Sequence, residues 1–192
     1  MDLDLTPTPS QTVGPYLHIG LTSTRSVGRI AGPAVKGERV WLKLRLLDGD
    51  GAPVPDGMIE IWQANAEGKY NHPEDTTNKT VDPSFLGFGR MPTAEDGSCS
   101  FETIKPGPVP GPDGKLQAPH LTLGVFGRGL LKRLSTRVYF AGDAANATDP
   151  VLALVPADRR RTVLARQDLV RPGGWQLDIH LCGEGETVFF DV

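Results

Sequence analysis

From Glu38 onward the chain alternates: Val40, Leu42, Leu44 and Leu46 are interleaved with Trp41, Lys43, Arg45 and Leu47. A period of two is that of a strand with one buried face. Residues 48–57 (DGDGAPVPDG) read as a turn. MIEIWQA, Met58 to Ala64, reads as a second strand, with Ile59, Ile61 and Gln63 on one side and Met58, Glu60, Trp62 and Ala64 on the other. Cys99, Phe101 and Thr103 alternate in SCSFETI, and Leu121, Leu123 and Val125 in PHLTLGVF, two more strands separated by the Pro/Gly-rich KPGPVPGPDG. RVYF at 137–140 adds another. WQLDIHLCG sets Trp175, Leu177, Ile179 and Leu181 on one face, and ETVFFDV closes the chain after a Gly183/Gly185 turn. ADRRRTVLARQ, residues 157–167, is the best short-helix candidate.

The first 37 residues differ. They are rich in Thr, Ser, Gly and Pro, and Pro7, Pro9, Pro15 and Pro33 disfavour long helices and ladder pairing. Residues 1–37 therefore read as an arm ahead of a domain spanning 38–192. Many short strands, frequent turn signals and no internal repeat predict an all-β fold, an antiparallel β-sandwich with an extended N-terminal arm and short helices.

Composition narrows the partners. With 23 Gly and 17 Pro in 192 residues the chain is no helical bundle, and a net charge of -3 with 39% hydrophobic residues is that of a globular domain. The one basic cluster, Arg159 to Arg161, directly follows Asp158, so neither nucleic acid nor a membrane surface is an expected partner. No apolar run approaches the ~18 residues of a membrane helix. Cys99 and Cys182 supply neither a disulfide framework nor a zinc spacing. The acidic start MDLDLTPTPSQ lacks the basic and apolar regions of a secretory signal, so a cytoplasmic location is expected.

Candidate chemistry is sparse. There is no phosphate-cradling Gly loop, no Cys-x-x-Cys and no nucleophile elbow. His18, His72, His120 and His180 remain, with Tyr16, Tyr70 and Tyr139. His180 shares its face with Gln176, Asp178 and Cys182 and reads as structural. On a strand, the next same-face neighbour of His120 is position 122, where a second His would aim a pair at one metal. That position is Thr122, and on residue types alone His120 is structural as well.

WQANAEGKYNH (Trp62 to His72), DPSFLGFGR (Asp82 to Arg90), DGSCSFETIKPGPVP (Asp96 to Pro110) and APHLTLGVFGRG (Ala118 to Gly129) resemble, in family order, the intradiol ring-cleaving dioxygenases. The resemblance covers most of residues 37–192. It implies a β-sandwich built to hold non-haem Fe(III) through two tyrosinates and two histidines. Carried over position by position, the first Tyr is Tyr70 and the first His is His120. The second Tyr is replaced by Val109 and the second His by Thr122. An Arg that catalytic members carry three residues before the first His is replaced by Gln117. Half the donor set is gone, so the resemblance implies no metal bound by this chain alone and makes Tyr70, Val109, His120 and Thr122 vestigial ligand positions.

The opening TPSQTVGPYLHIG (Thr8 to Gly20) is similar to the alpha subunits of the family's two-chain, protocatechuate-cleaving members. This implies a homologous beta subunit as partner, carrying the Fe(III) site, in a higher-order hetero-oligomer that acts on protocatechuate and O2. Gly14 and Pro15 alone read as loop geometry, and Arg133 and Arg137 as solvated strand-edge charges. The resemblance assigns Thr12, Gly14, Pro15, Tyr16 and Arg133 to the wall of the partner's substrate pocket, with Arg137 as the alternative to Arg133, and no catalytic residue to this chain. Two other readings compete: a β-sandwich carrier or interaction module without dioxygenase activity, and a self-sufficient intradiol enzyme with an altered ligand set.

Overall fold

The computed structural model describes residues 11–23, 27–111 and 114–191, without the side chains of Pro15, Tyr16 and His18. A short helix, α1 (Pro15–Leu21), precedes ten strands: β1 (Arg39–Leu47), β2 (Met58–Trp62), β3 (Phe88–Pro92), β4 (Ser98–Ile104), β5 (Val109–Pro110), β6 (Leu116–Gln117), β7 (His120–Phe126), β8 (Leu134–Phe140), β9 (Leu164–Gln167) and β10 (Gly174–His180). Eight of them form one sheet in the order β3-β2-β7-β8-β9-β10-β1-β4, and β5 pairs with β6 in a separate ribbon.

The sheet folds over on itself so that two four-stranded halves enclose the core. Val40, Leu42, Leu44 and Leu46 of β1 meet Ile59 and Ile61 of β2, Phe101 of β4, Leu121, Leu123 and Val125 of β7, and Ile179 of β10 in one buried cluster. The predicted alternation is therefore the packing pattern, each inward set alternating with positions on the outer face. Ile30, Ala31 and Val35 from the N-terminal stretch join this cluster. The same stretch closes the gap between the outer strands. Val27 pairs with Arg90 of β3, while the Gly28 carbonyl accepts from Glu102 N–H of β4 at 2.8 Å. Covering edge strands in this way removes unpaired backbone groups that would template aggregation.

Two expectations need correction. The all-β sandwich is present, but the sheet is mixed: β1 runs parallel to β10, and β8 parallel to β9. Residues 157–167 do not form one helix; a 3-10 turn at Arg160–Val163 leads directly into β9. Ala165 is fully buried in the sandwich core and Val163 in a second cluster, so tertiary packing overrides the local helical pattern. Among the described residues, the closing ETVFFDV forms one bridge, Phe190 to Ser135.

That second cluster lies on the outer side of β8, where Tyr139 packs with Ala118, Leu152, Val155 and Val163. Successive residues of β8 point to opposite faces, so Val138 and Phe140 enter the sandwich core while Tyr139 turns outward. The vestigial positions lie on this outer side.

Candidate functional site: a substituted metal position

The WQANAEGKY segment folds as a tight loop after β2. Asn65 Oδ1 accepts from the N–H groups of Glu67 (2.9 Å) and Lys69 (3.0 Å), the local bonding for which Asn is favoured in turns. Gly68 has φ +76°, and a Cβ there would lie 2.1 Å from the Pro108 carbonyl oxygen. Only glycine lets the loop bearing Tyr70 approach the segment bearing Val109. Beyond it, Asp75 accepts from Tyr70 N–H at 2.8 Å and from Lys69 Nζ at 3.0 Å. Burial pushes the Asp75 carboxyl up, but hydrogen bonds from the Thr77 hydroxyl, Tyr70 N–H, Lys69 and Thr77 N–H outweigh it and hold the group well below the usual carboxylate range.

These bonds seat Tyr70 against Trp62, the two rings stacked with centroids 5.7 Å apart. Trp62 stands opposite Thr122 of β7, and Thr122 stands opposite Arg137 of β8, so one rung of the sheet runs Trp62, Thr122, Arg137. His120, two residues before Thr122, shares its face and lies opposite Tyr139 with ring centroids 5.6 Å apart. Val109 is buried and faces Gln117 in the β5–β6 ribbon. The structure thus brings all four vestigial positions together on the outer face of β2, β7 and β8.

The donors there do not fit ferric iron. Val109 offers no donor atom, and Thr122 offers a neutral hydroxyl. His120 Nδ1–H donates to the Ala118 carbonyl at 2.7 Å, leaving only Nε2 as a lone pair. Burial and the nearby positive charge of Arg137 push His120 down to about 4, so its ring is neutral at pH 7. Burial raises the Tyr70 phenol above its ordinary value. Among the described residues no group of three or more His, Cys, Asp or Glu could hold a metal ion.

A hydrogen-bonded chain runs beside these positions. Arg137 Nη1 donates to Gln117 Oε1 at 2.6 Å and to Tyr139 Oη at 3.2 Å, and Tyr139 O–H donates to Asp149 Oδ1 at 3.3 Å. Asp149 is fully buried and also accepts from the N–H groups of Ala118 (2.7 Å), Val151 (2.8 Å) and Leu152 (2.6 Å). Residue types alone placed Tyr139 among the candidates but did not single out Asp149. The outward alternation of Arg137 and Tyr139 on a strand, followed by an Asp-Pro at 149–150, was the available signal.

The residues assigned to a partner's pocket lie on the N-terminal segment and the β7–β8 loop. Thr12 is exposed, and its Oγ1 accepts from Gly129 N–H at 2.7 Å, tying the N-terminal segment to the β7–β8 loop. Gly14 is exposed, with open space around it. Pro15 opens α1, a position that suits its fixed φ; the Pro15 and Tyr16 side chains lie outside the described residues. Arg133 is exposed at the end of the same β7–β8 loop and has no hydrogen-bond or ion-pair partner among the described residues. Arg137, the alternative, is half-buried and committed to Gln117 and Tyr139. Thr12 and Arg133 thus belong to one loop region, with Arg133 lying over Gly124, the outward position of β7 that follows Thr122.

A family model described as Dioxygenase matches residues 14–181. The protocatechuate 3,4-dioxygenase alpha chain of Burkholderia cepacia is 41% identical, the alignment covering 98% of each chain. The protocatechuate 3,4-dioxygenase beta chain of the same organism is 39% identical over 79% of this chain and 67% of its own length. Among solved structures, the dioxygenase domain of a carbohydrate-binding fusion from Streptomyces sp. SirexAA-E superposes with a TM-score of 0.63 at 24% identity, covering 93% of this chain and 99% of that one. That likeness establishes the shared sandwich. From the strand order, the four motifs in their places and the match along nearly the whole length, the chain belongs to the intradiol ring-cleaving dioxygenase family, beside its protocatechuate 3,4-dioxygenase alpha chains.

Proposed function

We propose that this chain is the alpha, non-metal subunit of a protocatechuate 3,4-dioxygenase. The observation that carries the reading is end-to-end similarity to an alpha chain combined with a donor set, Tyr70, Val109, His120 and Thr122, that lacks two of the family's four ligands. The family implies non-haem Fe(III). In this reading the ion is held by a homologous beta subunit, and the two chains assemble into a higher-order hetero-oligomer. The complex cleaves 3,4-dihydroxybenzoate with O2 between the hydroxylated carbons, giving 3-carboxy-cis,cis-muconate with both oxygen atoms retained.

The share of this chain is to bind, orient and exclude water. Residues 1–37 supply the arm that meets the partner, with Thr12, Gly14, Pro15 and Tyr16 at its contact with the substrate pocket. Gly14, lacking a Cβ, permits close backbone approach to a ligand. Anchoring of Thr12 on Gly129 supports a fixed course for the arm, since a pocket wall must be held within fractions of an ångström to orient a substrate. Arg133 is available for the substrate carboxylate, opposite the diol edge that meets the partner's iron. Its lack of an internal partner among the described residues leaves the guanidinium free to form a charge-assisted pair.

Co-expression with a beta chain tests the assignment. A stable complex with ring-cleaving activity supports it, and failure to form one favours a stand-alone interaction module. Within the complex, Arg133→Ala should raise KM for protocatechuate by roughly 10–100-fold, the equivalent of about 1.5–3 kcal/mol, and leave KM for catechol nearly unchanged. Steady-state kinetics on both substrates check this; equal effects would remove Arg133 from carboxylate recognition.

A further inference from the structure

We propose that Arg137 is a metal-excluding residue: its guanidinium lies beside the former ligand set and bars a ferric ion even when the missing donors are restored. The loss of iron would then rest on an inserted cation as well as on two deleted ligands. The inference stands on this chain's own residues and the family's donor set, so its failure would leave the subunit assignment untouched.

The placement of Arg137 follows from register. It shares a rung with Thr122 and Trp62, and Tyr70 stacks on Trp62. His120 lies one outward position along β7, opposite Tyr139, to which Arg137 donates. Val109 faces Gln117, whose Oε1 receives Arg137 Nη1 at 2.6 Å. Thr122 therefore stands opposite Arg137, His120 and Val109 each face a group to which Arg137 donates, and Tyr70 stacks on Trp62 of the same rung.

The guanidinium is held there. Gln117 Nε2 donates to the Pro110 carbonyl at 3.1 Å, which turns Oε1 toward Arg137. Tyr139 is fully buried and fixed in turn by Asp149. Phe190 flanks the other side, its ring centroid 5.9 Å from the Arg137 guanidinium carbon. Gln117 occupies the position where catalytic members carry an Arg, so a guanidinium supplied by the opposite strand sits beside the same point of the site. A fixed monocation cannot leave by losing its proton, and it repels a trivalent ion directly.

The test uses the full chain in four forms: Val109→Tyr with Thr122→His, the same pair with Arg137→Gln, the same pair with Arg137→Lys, and Arg137→Gln alone. Each is incubated with a ferric chelate, desalted, and assayed for iron per chain and for the visible tyrosinate-to-iron absorption band. The first form should stay below about 0.1 iron per chain and the Arg137→Gln form should approach one, at least a tenfold difference. The Lys form keeps the charge and should remain iron-poor. Full loading of the first form, or equal loading of the Lys and Gln forms, would overturn the proposal; so would a Gln form that unfolds with the native temperature dependence yet takes no iron. If the combined variants fail to fold, Arg137→Gln alone decides, because it should take up the ferric chelate at least tenfold more tightly than the native chain, and equal affinity would overturn the proposal.

Discussion

Replacing Asp75 with Ala is expected to cost about 3–5 kcal/mol of stability, because it strands the Lys69 ammonium in a site from which water is nearly excluded. The two side chains are only 8% and 9% exposed. Lys69 Nζ would retain the Thr77 carbonyl at 2.7 Å as an acceptor but no anion, and Tyr70 N–H would lose its acceptor. Denaturant unfolding of the purified chain measures the loss, and a change below about 1 kcal/mol would place this pair with ordinary exposed ion pairs. The folded-state pKa of Asp75 lies below its unfolded value, so its contribution is complete above about pH 4 and declines as acid protonates the folded carboxylate. The stability gap between the native chain and the Asp75→Asn variant should therefore be constant between pH 5 and 7, in the same approximation, and shrink below about pH 4. A gap that widens with acid would contradict that sign.

Asp149→Ala should be comparably damaging, about 3–5 kcal/mol, lowering Tm by roughly 10 °C. Three backbone N–H groups, those of Ala118, Val151 and Leu152, would lose their carboxylate at once, and Tyr139 would lose its acceptor. Asp149→Asn offers one amide oxygen in place of two carboxylate oxygens and should recover only part of the loss. Thermal unfolding of the two variants separates these outcomes. Because Ala118 also accepts from His120, the damage should spread to the His120 ring, visible as a changed imidazole resonance.

The strands that alternate strictly were legible in the sequence. The expected buried positions of β1, β2, β4 and β7 are the ones that meet in the core. The strand β3 was not, because Gly89, Arg90 and Pro92 give it no apolar rhythm. Its place depends on close packing instead: a Cβ on Gly89 would lie 3.0 Å from atoms of Ile30, Ile61 and Phe101. Nor could local pattern show that β9 enters the sheet parallel to β8, since that partnership depends on a distant neighbour. At the site, the ligand positions were legible through motif resemblance. The chain from Gln117 through Arg137 and Tyr139 to Asp149 was not, because its links depend on the register of β7 against β8 and on a turn beyond β8.

The parallel partnership of β1 with β10 carries a consequence for synthesis. Residues 41–47 lie beside residues 174–180, with the complementary edge of β1 taken by β4. Until residues 174–180 have left the ribosome, one flank of an apolar strand has no mate. Non-local closure of this kind slows folding and leaves nascent molecules open to mispairing. Residues 174–180 therefore act as a latch, and a chain released before they emerge would be a substrate for chaperones and proteases rather than a subunit awaiting assembly.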